Sequence, residues 1–308
     1  MVKPLISVVI PAYNHERYIG AAVESVLQQT FADLELIVID DGSTDRTGEI
    51  VQSYDDKRLT YLFQENRDAY NTLNRGMGLA KGEYISILNS DDVYAQNRLE
   101  KLLAHQKESD AACIFTDVIP ISDTSIEFTE FDFGWNIWHR KNRQTFFDSN
   151  DLYASFLKGN LLVTTSNLFM TTKAQQEVGL FTSLRYLHDY DFIFRMMMAY
   201  PKGVSYLHNE RLLYYRIHSN NTLGEAAITG REQDKQVILK YMLARLPREE
   251  RKYAEAGAGR LMELEQELQQ VKTVLQPDRV NRGVRPAAKA LCNSLSIWLQ
   301  KKVHFAQG

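Results

Sequence analysis

Short runs of β-branched and aliphatic residues alternate with stretches of helical periodicity from Leu5 to Phe115, and this alternation restricts the fold more than any other feature. Leu5-Ile6-Ser7-Val8-Val9-Ile10 reads as a buried strand that Pro11 ends. Ile19, Ala22, Val23, Val26 and Leu27 then repeat at helical spacing. Leu34–Ile39 is a second strand, closed by the turn Asp40-Asp41-Gly42-Ser43, and Ser43 or Thr44 is placed to cap the helix holding Ile50 and Val51. Leu59–Phe63, Tyr84–Leu88 and Ala112–Phe115 continue the strands, with helices around Asn74–Ala80 and Leu99–Leu103 between them. Strands and helices in strict alternation imply an α/β fold with a mostly parallel sheet, right-handed crossovers and flanking helices.

In such sheets ligands gather beyond the carboxyl ends of the strands. Two acidic pairs fall there: Asp40-Asp41 after the second strand and Asp91-Asp92 after the fourth. Two acidic pairs on one rim are the first functional signal, and it comes from spacing alone.

The pattern changes between Thr124 and Phe156. Phe131, Phe133 and Trp135 alternate like one face of a strand, within an aromatic stretch Phe128–Trp138 suited either to stacking on sugar rings or to a packed flap. Asp189–Tyr200 reads as a helix. Beyond Gly224 the chain is polar and helical. Leu261, Leu264, Leu268, Val271 and Leu275 keep coiled-coil spacing for about two heptads until Pro277, a seam for a homodimer or for packing on the body. A final helix over Ala287–Phe305 carries Trp298, Lys301 and Lys302, a weak signature of peripheral contact with a membrane surface. We therefore divide the chain into a domain over 1–224, with halves 1–118 and 119–224, and a helical C-terminal extension over 225–308.

The net charge of −3 gives no basic field for nucleic acid. Two cysteines, Cys113 and Cys292, make neither a disulfide framework nor a cysteine metal site and fit a reducing compartment. Leu5–Ile10 is too short for a signal-peptide core, and no apolar run reaches the ~18 residues that span a bilayer. The expected location is the cytoplasm, or the inner face of the membrane by peripheral contact.

Sugar transfer from a nucleoside diphosphate needs a cation for the leaving diphosphate, a base for the acceptor hydroxyl, and a grip on the nucleoside. The chain has candidates for each, in an order that resembles the family-2 inverting glycosyltransferases of GT-A fold. The resemblance spans roughly residues 4–222 and rests on Val9-Ile10-Pro11-Ala12-Tyr13-Asn14, Ile39-Asp40-Asp41-Gly42-Ser43-Thr44-Asp45, Ala80-Lys81-Gly82-Glu83-Tyr84-Ile85, Leu88-Asn89-Ser90-Asp91-Asp92, Val178-Gly179-Leu180-Phe181, His188-Asp189-Tyr190-Asp191 with Arg195, and Tyr215-Arg216-Ile217-His218.

The resemblance implies a role for each matching position. Tyr13 would pack on the nucleobase beside the backbone of Pro11 and Ala12, and Asp41 would accept a hydrogen bond from a base such as uracil. Arg67 and Asn74 are candidates for the diphosphate or ribose, with a surface charge and a helix cap as the alternatives. Asn89-Ser90-Asp91 occupies the Asp-x-Asp slot, with asparagine in place of the first carboxylate. Asp91 would bind Mn²⁺ or Mg²⁺ directly, joined by His218, with Arg216 on the diphosphate. Asp189 would be the general base, rather than Asp191, which lies two residues into the helix and points elsewhere. Helix capping is its other reading. The implied partners are a nucleotide-sugar donor, with UDP favoured by family habit and Asp41, and a saccharide or lipid-linked saccharide acceptor.

Two other functions compete with this one. A nucleotidyltransferase would carry a Gly-rich basic loop after the first strand, where Pro11-Ala12-Tyr13-Asn14 stands instead. A non-catalytic binding or scaffold protein of the same fold would explain Asn89, but not the joint presence of Asp91, Asp189 and His218.

Overall fold

The computed structural model describes residues 3–184, 187–218 and 235–275, with side chains through 268. The first half alternates as its periodicity implies. β1 (Ile6–Ala12), α1 (Ile19–Leu27), β2 (Leu34–Asp40), α2 (Thr47–Gln52), β3 (Leu59–Phe63), α3 (Ala69–Leu79) and β4 (Tyr84–Ile87) follow one another, then β5 (Val93–Tyr94) and α4 (Arg98–Ser109). The second half adds β6 (Cys113–Ile121), α5 (Gly134–Ser149), α6 (Leu152–Lys158), β7 (Phe169–Thr171), α7 (Thr172–Val178), α8 (His188–Ala199) and β8 (Val204–Arg216).

The strands form one eight-stranded sheet in the order β3-β2-β1-β4-β7-β6-β8-β5. β1 pairs in parallel with β2 and β4, β2 with β3, and β6 with β8. β7 is antiparallel to both β4 and β6, and β5 is antiparallel to β8. The sheet is therefore mixed but mainly parallel.

Strand alternation feeds two cores. Ile6, Val8 and Ile10 of β1 join Ile19, Val23 and Val26 of α1 on one face. Ile85 and Ile87 of β4 join Leu73 and Met77 of α3 and Phe192, Ile193 and Met196 of α8 in the other. Each fully buried aliphatic side chain contributes about 1.5–3 kcal/mol relative to exposure. α3 approaches β1 so closely that a Cβ at Gly76 would stand 2.2 Å from Val9 Cγ1, which excludes any larger residue there.

Pro11 does not end β1 but lies inside it, paired in register with Ile39. Val9 O bonds Leu88 N, and Ala12 O bonds Asp41 N. By alternation Pro11 faces the β4 side, where the last pair is Val9–Ile87, so its missing N–H costs no ladder bond.

Other expectations are corrected too. Neither Ser43 nor Thr44 caps α2; Asp45 Oδ1 accepts from Thr47 N at 2.9 Å instead. Phe131, Phe133 and Trp135 are not a strand face. Phe128 stacks on Phe133 with centroids 4.3 Å apart, and α5 starts at Gly134. Trp135, Trp138 and His139 share one helical face, because the aromatics beyond Gly134 recur at three-four spacing rather than two.

The first compact unit runs to Tyr241, past the boundary drawn at 224. Val237 and Tyr241 bury against α8 and its neighbours, which ties the helical stretch from 235 to the body. The second unit, Met242–Gly308, contains the helix Arg248–Leu275, on which Leu261, Leu264 and Leu268 are exposed. The helix expected over Ala287–Phe305 lies outside the described residues. No helix among the described residues is long and apolar enough to cross a membrane.

Candidate active site

The carboxyl ends of β1, β2, β4 and β8 supply the site. β1 delivers Pro11, Ala12 and Tyr13 to the rim; Ala12 is buried, while the Tyr13 ring is 48% exposed. The loop after Tyr13 is laced to the loop after β2. Asn14, in the left-handed region at φ 50°, donates its N–H to Ser43 Oγ at 2.9 Å. Its Oδ1 accepts from Thr44 N at 2.8 Å. His15 N donates to Thr47 Oγ1, and Glu16 N to Asp45 Oδ2. Arg46 N donates back to Glu16 Oε2. Hydrogen bonds running both ways fix the two loops as one unit.

Each acidic pair divides into one carboxylate that holds the fold and one that serves the rim. Asp40 accepts from Ser43 N and from the Tyr61 hydroxyl, both at 2.8 Å. Asp41 Oδ1 accepts from Gln64 Nε2 at 2.6 Å and from Arg67 N at 3.0 Å. Gln64 and Arg67 line a cleft of about 490 Å³ together with Asn66, Asp68, Asn71 and Arg75. Asp68 sits on that cleft at φ 69°, ψ 150°, a conformation that favours glycine and stores strain at the rim.

In the second pair, Asp92 is 1% exposed and accepts from Ser166 Oγ at 2.5 Å, Thr164 Oγ1 at 3.2 Å and Arg216 N at 3.0 Å. Burial, then the neighbouring Asp91 charge, push its carboxyl well above the usual range. Val163, which precedes Thr164, has φ 71°, a rare setting for a β-branched residue and one that places the Thr164 hydroxyl beneath the acidic loop.

Asp91 Oδ2 lies 3.0 Å from His218 Nε2. Burial raises the Asp91 carboxyl, but the His218 hydrogen bond and the charges of His15 and His218 more than offset this and hold it low. The ligand atoms of His15, Asp91 and His218 lie within 4.8 Å of one another. Burial lowers the His15 pKa more than Asp91 raises it, which favours the neutral imidazole that ligates metals. Two imidazoles and one ionised carboxylate in this space fit a divalent cation.

Ser90 meets His15 Nδ1 at 2.7 Å, and Asn89 donates from Nδ2 to Thr164 Oγ1 at 3.0 Å. Two of the expected site residues also carry structural contacts. Arg216, 1% exposed, directs its guanidinium to the backbone oxygens of Asp91, Ser122 and Asp123, because burial demands that its donors be matched. It thereby clamps the acidic loop. Asn74 uses both ends of its amide on the Phe181 backbone, as donor at 3.0 Å and acceptor at 2.8 Å, and so pins α3 to the loop before α8.

Asp189 is the second residue of α8 and is 6% exposed. Its Oδ1 accepts from Tyr190 N at 2.7 Å and its Oδ2 from Asn160 Nδ2 at 3.3 Å. Burial raises its pKa; the His188 charge and the Asn160 bond offset only part of this. His188 reaches Thr165 Oγ1 at 3.2 Å. Burial, and then the charges of Asp92, Asp91 and Asp189, push the Tyr215 hydroxyl well above its ordinary value. Asp191 points the other way, to Arg195 and Lys240 at 2.8 Å each and to the Tyr241 hydroxyl at 2.6 Å.

His15, Asn160, Thr164, Ser166 and Gln64 escaped the sequence reading. His15 alone carried a usable signal, as an ionisable side chain directly after Pro11-Ala12-Tyr13-Asn14 on the same rim as Asp91. The others act through hydroxyls and amides whose partners are far away in the chain.

The description of glycosyl transferase family 2 matches residues 7–160. An uncharacterized glycosyltransferase of Rickettsia typhi is 33% identical over 229 residues, 73% of this chain and 67% of that protein. The chain belongs to glycosyl transferase family 2. This family-2 chain is also 40% identical over 117 residues to TuaG, a glycosyltransferase assigned to teichuronic acid biosynthesis in Bacillus subtilis, covering 37% of this chain and 46% of TuaG. Its fold is shared with S. aureus TarS, solved in complex with UDP-GlcNAc. That match has a TM-score of 0.60 and 19% identity, over 81% of this chain and 70% of the other. The family-2 chain is thus a glycosyltransferase, which takes a nucleotide-sugar donor and a saccharide acceptor.

Proposed function

We propose that the protein transfers a sugar from a UDP-sugar to an acceptor hydroxyl with inversion, in the synthesis of a surface polysaccharide or glycolipid head group. The observation that carries this reading is the 3.0 Å approach of His218 to Asp91. Tyr13 stacks on the base, and Asp41 accepts from the base N–H. Asp91 and His218 hold a divalent cation, which when bound neutralises the leaving diphosphate. Asp189 takes the proton of the acceptor hydroxyl, and its raised pKa brings its basicity closer to neutral pH. Asn160 and the Tyr190 N–H orient that carboxylate. A base on the face opposite the leaving group makes the displacement single-step, so the anomeric centre inverts. The segment 119–224 forms the acceptor side. The UDP-GlcNAc carried by TarS and the teichuronic acid role of TuaG support a UDP donor and a polymer acceptor.

The test is release of nucleoside diphosphate from a panel of nucleotide sugars with Mn²⁺, Mg²⁺ or EDTA, backed by donor binding in a calorimeter. Cation-dependent turnover of one UDP-sugar, lost in Asp91→Ala, supports the reading. Failure of every donor to bind with cation present overturns it and leaves a scaffold of the same fold.

A further inference from the structure

We propose that His15 is a third protein ligand of the cation site, so that the protein takes up a transition-metal ion such as Mn²⁺ in preference to Mg²⁺, and does so before any donor binds. The inference rests on the reading above that Asp91 and His218 hold a cation. It adds a ligand, a metal preference and an order of binding.

Three segments far apart in the chain converge here: the turn after β1, the end of β4 and the end of β8. Octahedral bonds of about 2.1 Å place adjacent ligand atoms roughly 3 Å apart. Asp91 and His218 already stand 3.0 Å apart, and the His15 ligand atom lies within 4.8 Å of both. The imidazole is also oriented. Ser90, 2% exposed, engages Nδ1 at 2.7 Å and leaves Nε2 as the ligand atom, as when the far ring nitrogen of a metal-bound histidine is held by a hydrogen bond. The backbone of His15 is held at 2.9 Å on Thr47 Oγ1, within the laced pair of loops. Its ring meets His218 edge-on at 5.9 Å between centroids, so the rings stand perpendicular rather than stacked.

The donor set decides the metal. Mg²⁺ prefers oxygen and is usually held by one or two carboxylates plus substrate phosphates, so it binds poorly without nucleotide. Two imidazoles with one carboxylate suit first-row transition ions better than Mg²⁺, with Mn²⁺ the weakest-bound of that series, and supply enough protein ligands for binding without phosphate.

Donor-free full-length protein is titrated with MnCl₂ and with MgCl₂ by calorimetry, and the Mn²⁺ complex is examined by pulsed EPR for nitrogen couplings. Wild type is compared with His15→Ala, Ser90→Ala, His218→Ala and Asp91→Ala, each first checked for an unchanged melting profile. One Mn²⁺ per chain is expected without nucleotide, bound at least tenfold tighter than Mg²⁺ and with two coupled imidazole nitrogens. His15→Ala should weaken Mn²⁺ more than about tenfold and leave one coupled nitrogen; Ser90→Ala should weaken it roughly tenfold with both retained. Wild-type affinity and two couplings in His15→Ala overturn the third ligand, while loss in Asp91→Ala and His218→Ala keeps the two-ligand site. No binding by any form, with or without UDP, overturns the cation reading itself.

Discussion

His218 Nε2 rests 3.0 Å from Asp91 Oδ2 although 127 residues separate the two in sequence. The contact is held from both sides. Arg216 Nε donates to the Asp91 carbonyl at 2.7 Å, and Arg216 N donates to Asp92 Oδ1 at 3.0 Å. The end of β8 is thereby fastened to the end of β4, and the acidic loop cannot move without it. Asp91→Ala should lower cation-stimulated turnover by more than about a hundredfold, since a bound cation supplies several kcal/mol of charge stabilisation. Initial rates with and without EDTA measure this; equal stimulation of variant and wild type would remove Asp91 from the site.

Asp189→Asn should keep donor affinity and lose about 10²–10⁴ in turnover, the span typical of a general base. The carboxyl is active when deprotonated, and burial raises its pKa. The rate should therefore climb with pH to a plateau, with the acid limb displaced upward from the ordinary carboxylate range. A wild-type rate that stays flat down to an unshifted carboxylate limb would exclude Asp189 as the base.

Tyr13 is a large aromatic residue left 48% exposed, so packing does not account for it. Tyr13→Ala should leave the melting temperature nearly unchanged and weaken UDP binding by roughly tenfold to a hundredfold, since stacking on one base is worth about 1–3 kcal/mol. Calorimetry with UDP decides, and unchanged affinity would assign the base to another surface.

Asp191 is the stability counterpart of Asp189. Its side chain is 2% exposed and joins Arg195, Lys240 and Tyr241. Asp191→Ala should cost about 3–5 kcal/mol, because it strands a half-buried arginine. Burial raises the carboxyl, but the bonds from Lys240, Tyr241 and Arg195 outweigh it and the folded pKa lies below 3.8. This contribution is therefore complete above that value and fades as pH falls below it. In denaturant melts the gap between wild type and variant should be widest at pH 7 and shrink as pH falls below 3.8; a gap that does not shrink would count against the ion pair.

The alternation of strands and helices up to Phe115 was legible because period-two and period-three-four patterns differ sharply over such runs. The rim positions of Asp41 and Asp91 followed from the same pattern. Which carboxylate of each pair serves the fold was not legible, since Tyr61, Thr164 and Ser166 are distant partners that only the tertiary structure brings up. The clamp that Arg216 makes on the acidic loop was hidden for a related reason, since its carbonyl partners at Ser122 and Asp123 are distant in the chain. α5 was misread because two aromatics ahead of Gly134 and one after it happen to alternate, and so few residues cannot distinguish the two periods.

The lacing of the His15 loop and the fastening of β8 also set a timetable. A chain emerging N-terminal end first can pair β1 with β2 and β4 early, because their separations are modest. The His218–Asp91 contact must wait for the last strand to be synthesised and to close a loop of 127 residues. The proposed cation site is therefore complete only once β8 has joined the sheet, and a chain halted before His218 lacks it.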